Sequence, residues 1–470
     1  MSHSGPDGRV SAIQRARDTV DSGQFRAELA KLVAFATESQ NPAQRAELDR
    51  YLHEAMQPRF KALGFDCVVY ENPDAQGGPL LLATRIEGTG LPTVIGYGHG
   101  DVVFGQAESW RRGLVPFDVI ADGDRLYGRG TADNKAQHLI NLMAMERVIE
   151  TRGLLGFNAK VLIEMSEETG SAGLDRFCRD NRDALSADLL IASDGPRVKA
   201  DTATLFTGAR GVINFDLNVD LRTGAHHSGN WGGLLADPAI VLAHAIATIT
   251  DARGQIAIPE WRPDSLTAEV RDVLSALPPM GDEGPDINPD WGEADLSPAE
   301  RVYGWNSFAV LAMKSGVPDA PVNAIDGSAR ATCQLRFVVG TDVDDILPAL
   351  RRHLDRNGFE NVEITAADRG YFPATRLTPD HPYLRFAAES IRQSTGRSAH
   401  ILPNLAGSLP NHCFAEILGL PTIWVPHSYR GCSQHAPDEH VLLPVCRDAL
   451  GVMAGLYWDI GAGPLPALST

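Results

Sequence analysis

Val94-Ile95-Gly96-Tyr97-Gly98-His99-Gly100-Asp101 is a short apolar run that gives out onto an imidazole and a carboxylate. A run of this length reads as a buried strand. Two further runs end the same way. Lys160–Met165 leads into Ser166-Glu167-Glu168-Thr169-Gly170, and Asp188–Ala192 leads into Ser193-Asp194-Gly195. Between the first and second, Asn134–Glu150 carries Leu139, Leu142, Met143, Met145 and Val148 mostly on one face, as a helix does. Leu80–Arg85 and Pro421–Val425 read as further strands. Strands alternating with helices imply an α/β fold built on a mainly parallel sheet, covered on both faces. Ligands of such sheets bind beyond the carboxyl ends of the strands. His99, Glu167, Glu168 and Asp194 all stand there.

Away from these strands, Gln24–Leu63 reads as helix, with Phe25, Leu29, Leu32 and Val33 at helical spacing. The pattern changes near Phe206. Gly211–Leu221 and Ala329–Val339 alternate apolar and polar residues, as strands with one covered face do. Pro238–Thr250 and Asp344–Asn357 read as helices, and the acidic, proline-rich Gly281–Asp290 as a solvated loop. After Pro373 the first style resumes, with a helix at Pro382–Ser394 and then Pro421–Val425. The expected organisation is a discontinuous α/β domain, residues 1–206 and 375–470, interrupted by an α+β domain at 207–374. A chain of 470 residues exceeds what one hydrophobic core usually supports, which agrees with two domains.

The 60 acidic residues against 42 basic ones give a formal charge of −18, a field that repels nucleic acid and anionic membranes. No stretch approaches 18 apolar residues, and the polar Met1–Gly8 has no apolar segment behind it, so neither membrane spanning nor secretion is expected. Six scattered cysteines with no CxxC pair suggest reduced thiols and a cytoplasmic protein.

Histidine nitrogen and carboxylate oxygen are the ligands of divalent zinc, and a catalytic ion keeps a position for water. Two ions about 3.5–4 Å apart need a bridging carboxylate and can clamp both sides of a hydrolytic displacement. His99, Asp194, Glu168, His435 and Asp133 can supply four outer ligands and one bridge. Asp133 falls just before the Asn134–Glu150 helix, where unpaired N–H groups favour a carboxylate. Glu167 then remains as a general base. Asp101 can accept the second ring N–H of His99 and fix its orientation.

These residues lie in motifs that resemble the dinuclear zinc peptidases and deacylases. That superfamily includes carnosinase, cytosolic nonspecific dipeptidase, acetylornithine deacetylase, succinyl-diaminopimelate desuccinylase, aminoacylase and carboxypeptidase G. The motifs are Gly98–Asp101, Gly128–Lys135, Glu167–Ser171, Ser193–Gly195 and His435-Ala436-Pro437-Asp438-Glu439, in the family's order. The resemblance implies one metal on His99, Asp133 and Asp194, and a second on Asp133, Glu168 and His435. It also implies Glu167 as base, a cis Asp133–Asn134 peptide, and the inserted block as lid and dimerisation domain.

Asp194 as the fifth ligand points to the dipeptidase branch. So does His226-His227-Ser228-Gly229-Asn230, similar to the carnosinase-type lid motif, in which a histidine (here His227) reaches across a dimer to the scissile carbonyl oxygen. Arg336, Asn323, Gly407 and Ser408 are the expected contacts for a substrate carboxylate. Two departures stand out: Gly100 replaces a larger residue, and Ala406-Gly407-Ser408 has one glycine fewer than the carnosinase-type loop.

The expected function is a homodimeric, cytoplasmic hydrolase with two zinc ions, manganese or cobalt being possible substitutes. It cleaves the amide of a dipeptide or related small amide as a metal-bridging water attacks and Glu167 takes its proton. One rival is an amidohydrolase of N-acyl or N-carbamoyl amino acids, or of a xenobiotic amide, with the same metals. The other is a catalytically silent metal-dependent binding protein, against which the retained Glu167 argues.

Overall fold

The computed structural model describes residues 6–279, 285–367 and 371–467. At its centre is an eight-stranded sheet. Four adjacent strands, Asn158–Glu164, Thr93–His99, Leu189–Ala192 and Thr422–Trp424, run parallel. Leu80–Arg85 and Asp66–Tyr70 extend one side antiparallel, and Thr204–Phe206 with His400–Leu402 completes the other.

The strands Asn158–Glu164 and Leu189–Ala192 are buried throughout, because successive residues alternate between two cores. Leu81, Val161, Ile163 and Ile191 pack with the helices Pro6–Asp21, Ala136–Arg152 and Leu443–Ile460. Leu82, Tyr97, Leu162 and Leu190 pack with Phe177, Phe414 and Trp424 on the opposite face. With both faces covered, the carboxyl ends of the parallel strands are where a ligand can reach the sheet.

A second sheet takes the strands Ser307–Ser315, Ser328–Phe337, Gly211–Asp220 and Glu363–Ala366 in that spatial order, all antiparallel. Phe215, Leu217 and Val219 face the helices Pro238–Ile249 and Ile346–Arg356 around the buried Trp261. The alternate residues make a polar face. Gln334 donates to Asn214 Oδ1 at 3.0 Å and Thr332 to Asp216 Oδ1 at 2.7 Å, and Arg336 shares that side. Ser307–Ser315 is an outer strand, exposed over most of its length at Val310, Leu311 and Met313.

The expected single helix at Gln24–Leu63 is broken. Gln24–Val33 is one helix, and Arg45–Arg50, Tyr51–Met56 and Gln57–Ala62 form another helical stretch. Between them Glu38 forms a bridge with Val102, and the Asn41 side chain caps Ala43 ahead of Pro42, so the chain must leave helical geometry. The helix after Asp133 also begins later than expected, at Ala136. Of the acidic stretch Gly281–Asp290, residues 281–284 lie outside the described residues. Among the described residues no helix is long and apolar enough to cross a membrane.

Candidate metal centre

His99 ends its strand fully buried, with the ring held from behind. Its Nδ1 lies 3.1 Å from the Asp101 carbonyl oxygen and 3.4 Å from Asp101 Oδ1. Its Nε2 faces a set of carboxylates: Asp133 Oδ1 at 2.9 Å, Asp194 Oδ2 at 3.6 Å and Glu167 Oε2 at 3.9 Å. The other oxygen of Asp133 lies 2.9 Å from His435 Nε2, which is also 3.0 Å from Glu168 Oε2. Two donor clusters result, His99–Asp133–Asp194 and Asp133–Glu168–His435, with Asp133 common to both.

Each side chain is delivered by a distinct local device. Glu167 and Glu168 open a single 3-10 turn beyond Asn158–Glu164, and their backbone N–H groups both donate to the Asp101 carboxylate at 3.2 Å. Asp101 therefore supports both His99 and the acid pair. Asp194 follows Leu189–Ala192, one oxygen accepting the Gly195 amide at 2.6 Å. His435 sits in a loop whose Ser433, His435 and Asp438 all have positive φ, uncommon for residues other than glycine.

Asp133 is not an N-cap. It lies in an irregular turn with φ −134° and ψ 95°, and no side chain caps the helix that follows. The Asp133–Asn134 peptide is cis, and Asn134 donates to the Ser193 carbonyl at 2.8 Å. The turn is fastened by Glu439. Its carboxylate accepts the Arg129 guanidinium at 2.8 Å and the amides of Gly130, Ala132 and Asp133 at 3.0, 2.8 and 3.1 Å.

The departure at Gly100 has a steric cause. A Cβ there would lie 2.4 Å from Tyr51 Cε1 and 2.7 Å from Met165 Sδ, so the Tyr51 ring fills the space a larger residue would take.

Crowding of like charge sets the electrostatics. Burial raises Glu167 well above the usual carboxylate range; His99 opposes the rise, and Asp194, Glu168 and Asp133 add to it. Burial likewise raises Glu168 to about 7 and Asp194 to about 6, each with Asp133 contributing. The imidazoles are raised as well, which for them favours the charged form. Asp133 and then Glu168 raise His435 to about 11, and Asp101 and Asp133 prevail over burial to raise His99. These carboxylates require positive charge among them. Glu168 Oε1, moreover, is buried without a hydrogen-bond partner. A bridging carboxylate, two imidazole nitrogens and an unfilled carboxylate oxygen fit a pair of divalent cations.

The clusters open onto a cavity of about 340 Å3. Asp133, Glu167, Asp194 and His435 line one part of it, and Arg336, Gly407 and Ser408 another. Arg336 donates to Ser408 Oγ at 3.1 Å and to Gln334 Oε1 at 3.1 Å. His227 and Asn323 do not join them. His227 is exposed on the short pairing of His226–His227 with Ala324–Ile325, its Nδ1 accepting the Gly229 amide, while the Asn323 carbonyl accepts the Ser228 amide.

Sequence reading gave no role to Gln434, whose side-chain amide donates to Asp133 Oδ2 at 2.5 Å. It also missed Arg430 and Tyr303, which line the cavity. Gln434 and Arg430 both stand within five residues of His435, so adjacency to that histidine was the available signal.

The chain matches Peptidase family M20/M25/M40 over residues 95–459. It is 24% identical over 395 residues to the cysteinylglycine-S-conjugate dipeptidase of Corynebacterium striatum, covering 82% of this chain and 83% of that protein. It is 29% identical over 390 residues to human β-Ala-His dipeptidase, covering 78% and 75%. In fold it is similar to the crystal structure of human carnosine dipeptidase 1, with TM-score 0.78, 20% identity, and 96% and 98% of the two chains covered. It is also similar to an M20 family metallo-carboxypeptidase of Sulfolobus solfataricus, with TM-score 0.79, 23% identity, and 93% and 99% covered. With the family match running through most of its length and both donor clusters inside it, this chain belongs to peptidase family M20/M25/M40.

Proposed function

We propose that the chain is a metal-dependent dipeptidase. The observation that carries this reading is the pair of donor clusters sharing Asp133, with Glu167 beside them and Arg336 in the same cavity. One end suits hydrolysis and the other suits a carboxylate, and a dipeptide has its amide and its carboxylate a residue apart. The relatives named as dipeptidases support the same substrate class.

In this reading His99, Asp133 and Asp194 hold one cation and Asp133, Glu168 and His435 the other, with zinc as the first choice for nitrogen and carboxylate donors. Bound there, the cations supply Lewis acidity and a water acidic enough to be deprotonated near neutral pH. Glu167 is the base. It belongs to neither donor cluster, lines the cavity, and is held by the Asp101 contact to its own amide. Because burial raises its pKa, it both accepts a proton and returns it to the departing amine. Arg336, Ser408 and Gly407 orient the substrate carboxylate, since a planar guanidinium can present two parallel donors.

His227 and Asn323 lie off the cavity, so a second copy would have to supply them. The exposed outer strand Ser307–Ser315 suits such an interface, since unpaired strand edges with apolar side chains seek partners. We assign residues 1–206 and 375–470 to the catalytic unit and 207–374 to a lid and dimerisation unit, following the two sheets and their cores. Six free cysteines suit a reducing, cytoplasmic setting.

The test is a panel of dipeptides and N-acyl amino acids, assayed with metal analysis before and after chelation. Dipeptide hydrolysis that chelator abolishes and zinc or manganese restores is expected. Turnover of N-acyl amino acids alone would favour the amidohydrolase, and no chelator-sensitive turnover of either would overturn the reading.

A further inference from the structure

The cavity holds more positive charge than one substrate carboxylate requires. Arg336 makes its hydrogen bonds to Gln334 and Ser408, and Arg430 donates to the Tyr303 hydroxyl. Neither guanidinium has a carboxylate partner among the described residues. Arg197 on the same wall does, through Asp448 at 2.8 Å. Behind them Arg210 is buried, bonded to the Ala406 carbonyl at 2.8 Å and the Ser307 hydroxyl at 3.2 Å, again without a carboxylate.

Half-buried guanidinium groups left without a counter-ion are costly. In a chain with 60 acidic and 42 basic residues, their concentration beside the acid-rich centre marks a place kept for anions from outside. Arg336 and Ser408 account for one carboxylate, on the dipeptidase reading. Arg430 remains. The Tyr303 oxygen accepts from Arg430, which leaves the phenolic proton free to donate beside it.

We propose that Arg430 and Tyr303 form a subsite for a second carboxylate, so that the preferred substrate is a dipeptide with an acidic side chain. This rests on the dipeptidase reading, because Arg336 must be occupied by the substrate's terminal carboxylate for Arg430 to be left over. The second carboxylate can belong to the carboxy-terminal residue or to the amino-terminal one, and either supplies the same chemistry.

The experiment compares kcat/KM of the metal-loaded full chain for two matched pairs, Ala-Glu against Ala-Gln and Glu-Ala against Gln-Ala. A preference for the acid of about 10- to 100-fold is expected in one pair, the size of one charge-assisted hydrogen bond. The pair that shows it identifies which residue carries the second carboxylate. Arg430→Met should bring that ratio close to one, Arg430→Lys should restore part of it, and Tyr303→Phe should lower it several-fold. Arg430→Glu should turn the preference towards Ala-Lys or Lys-Ala. If the wild-type chain hydrolyses dipeptides with both ratios near one, or Arg430→Met keeps the ratio, this inference falls and the dipeptidase reading stands. If the wild-type chain hydrolyses no dipeptide, both fall.

Discussion

Glu439→Gln tests whether the turn carrying Asp133 is held from behind. The glutamate is fully buried, and its two oxygens divide the work. Oε1 accepts the Ala132 and Asp133 amides, while Oε2 accepts Arg129 and the Gly130 amide. A glutamine can place its oxygen on one of these pairs only, and its NH2 then faces two donors. Two unpaired buried donors cost about 1–3 kcal/mol each. Arg129, equally buried, also loses its counter-ion, and breaking a buried ion pair from one side costs about 3–5 kcal/mol. The two estimates describe overlapping contacts, and burial already raises the Glu439 carboxyl against the pull of Arg129. A loss of about 4 kcal/mol is therefore expected rather than their sum. Equilibrium urea denaturation of the metal-free protein should show it, and competition with a chelator should show weaker metal retention, because the Ala132 and Asp133 amides that Glu439 holds fix the backbone that carries the Asp133 carboxylate. The double variant Arg129→Met/Glu439→Gln should regain part of the stability by removing the unpaired cation. Wild-type stability and metal affinity in Glu439→Gln would refute the reasoning.

Glu167→Ala should lower kcat by about 10²- to 10⁴-fold, the usual contribution of a positioned base, with both metals still present by elemental analysis. Asp101→Asn should weaken metal binding by about 10- to 100-fold in chelator competition, since Asp101 supports the His99 ring and the Glu167 and Glu168 amides. His138 is buried, its Nε2 2.6 Å from the Tyr51 hydroxyl, and burial lowers its pKa to about 3. The unfolded chain therefore binds a proton below about 6.5 that the folded chain refuses. The stability this ring confers is present above that pH and is lost as pH falls towards 3, at up to about 1.4 kcal/mol per unit. His138→Gln should flatten the slope of urea midpoints between pH 6 and 4, and an unchanged slope would count against the assignment.

What the sequence made legible follows from how directly each feature obeys a local rule. The strands ending at His99, Glu164 and Ala192 are apolar runs closed by polar residues, and a strand buried on both faces must look that way. Three candidate donors, His99, Glu168 and Asp194, were legible because each stands where such a strand stops, whereas Asp133 precedes a helix and His435 lies in a loop, and both were legible through the motifs around them. The helix Leu443–Ile460 was not read, although it is buried along most of its length. Its Gly451 and Gly455 lower helix propensity but allow close approach, since a Cβ there would meet Arg17 Nε at 2.6 Å and Ser394 Oγ at 2.1 Å. That requirement belongs to the partners and leaves no local trace. The Gln24–Leu63 break is similar, for its cause, the bridge to Val102, lies far along the chain. Glu439 stood inside a recognised motif, yet only its four donors in space give it a role.

The same contrast explains how the cavity acquires two signs of charge. Glu167, Glu168 and Asp194 come from ends of the parallel sheet and Asp133 from the turn before a helix, places where a chain leaving regular structure has unpaired amides to be met by acids such as Asp101 and Glu439. The guanidinium groups come from elsewhere: Arg336 from the polar face of the antiparallel sheet, and Arg430 from the loop that leads to His435. An acid at a strand end can be stabilised by its own backbone and then neutralised by cations, so its position follows from the fold. An arginine on a half-buried strand face gains no such local support, and its placement opposite the acids needs a ligand to explain it. A change confined to Arg430 should therefore alter which substrate is chosen. A change at Glu439 should alter whether the acid cluster holds together at all.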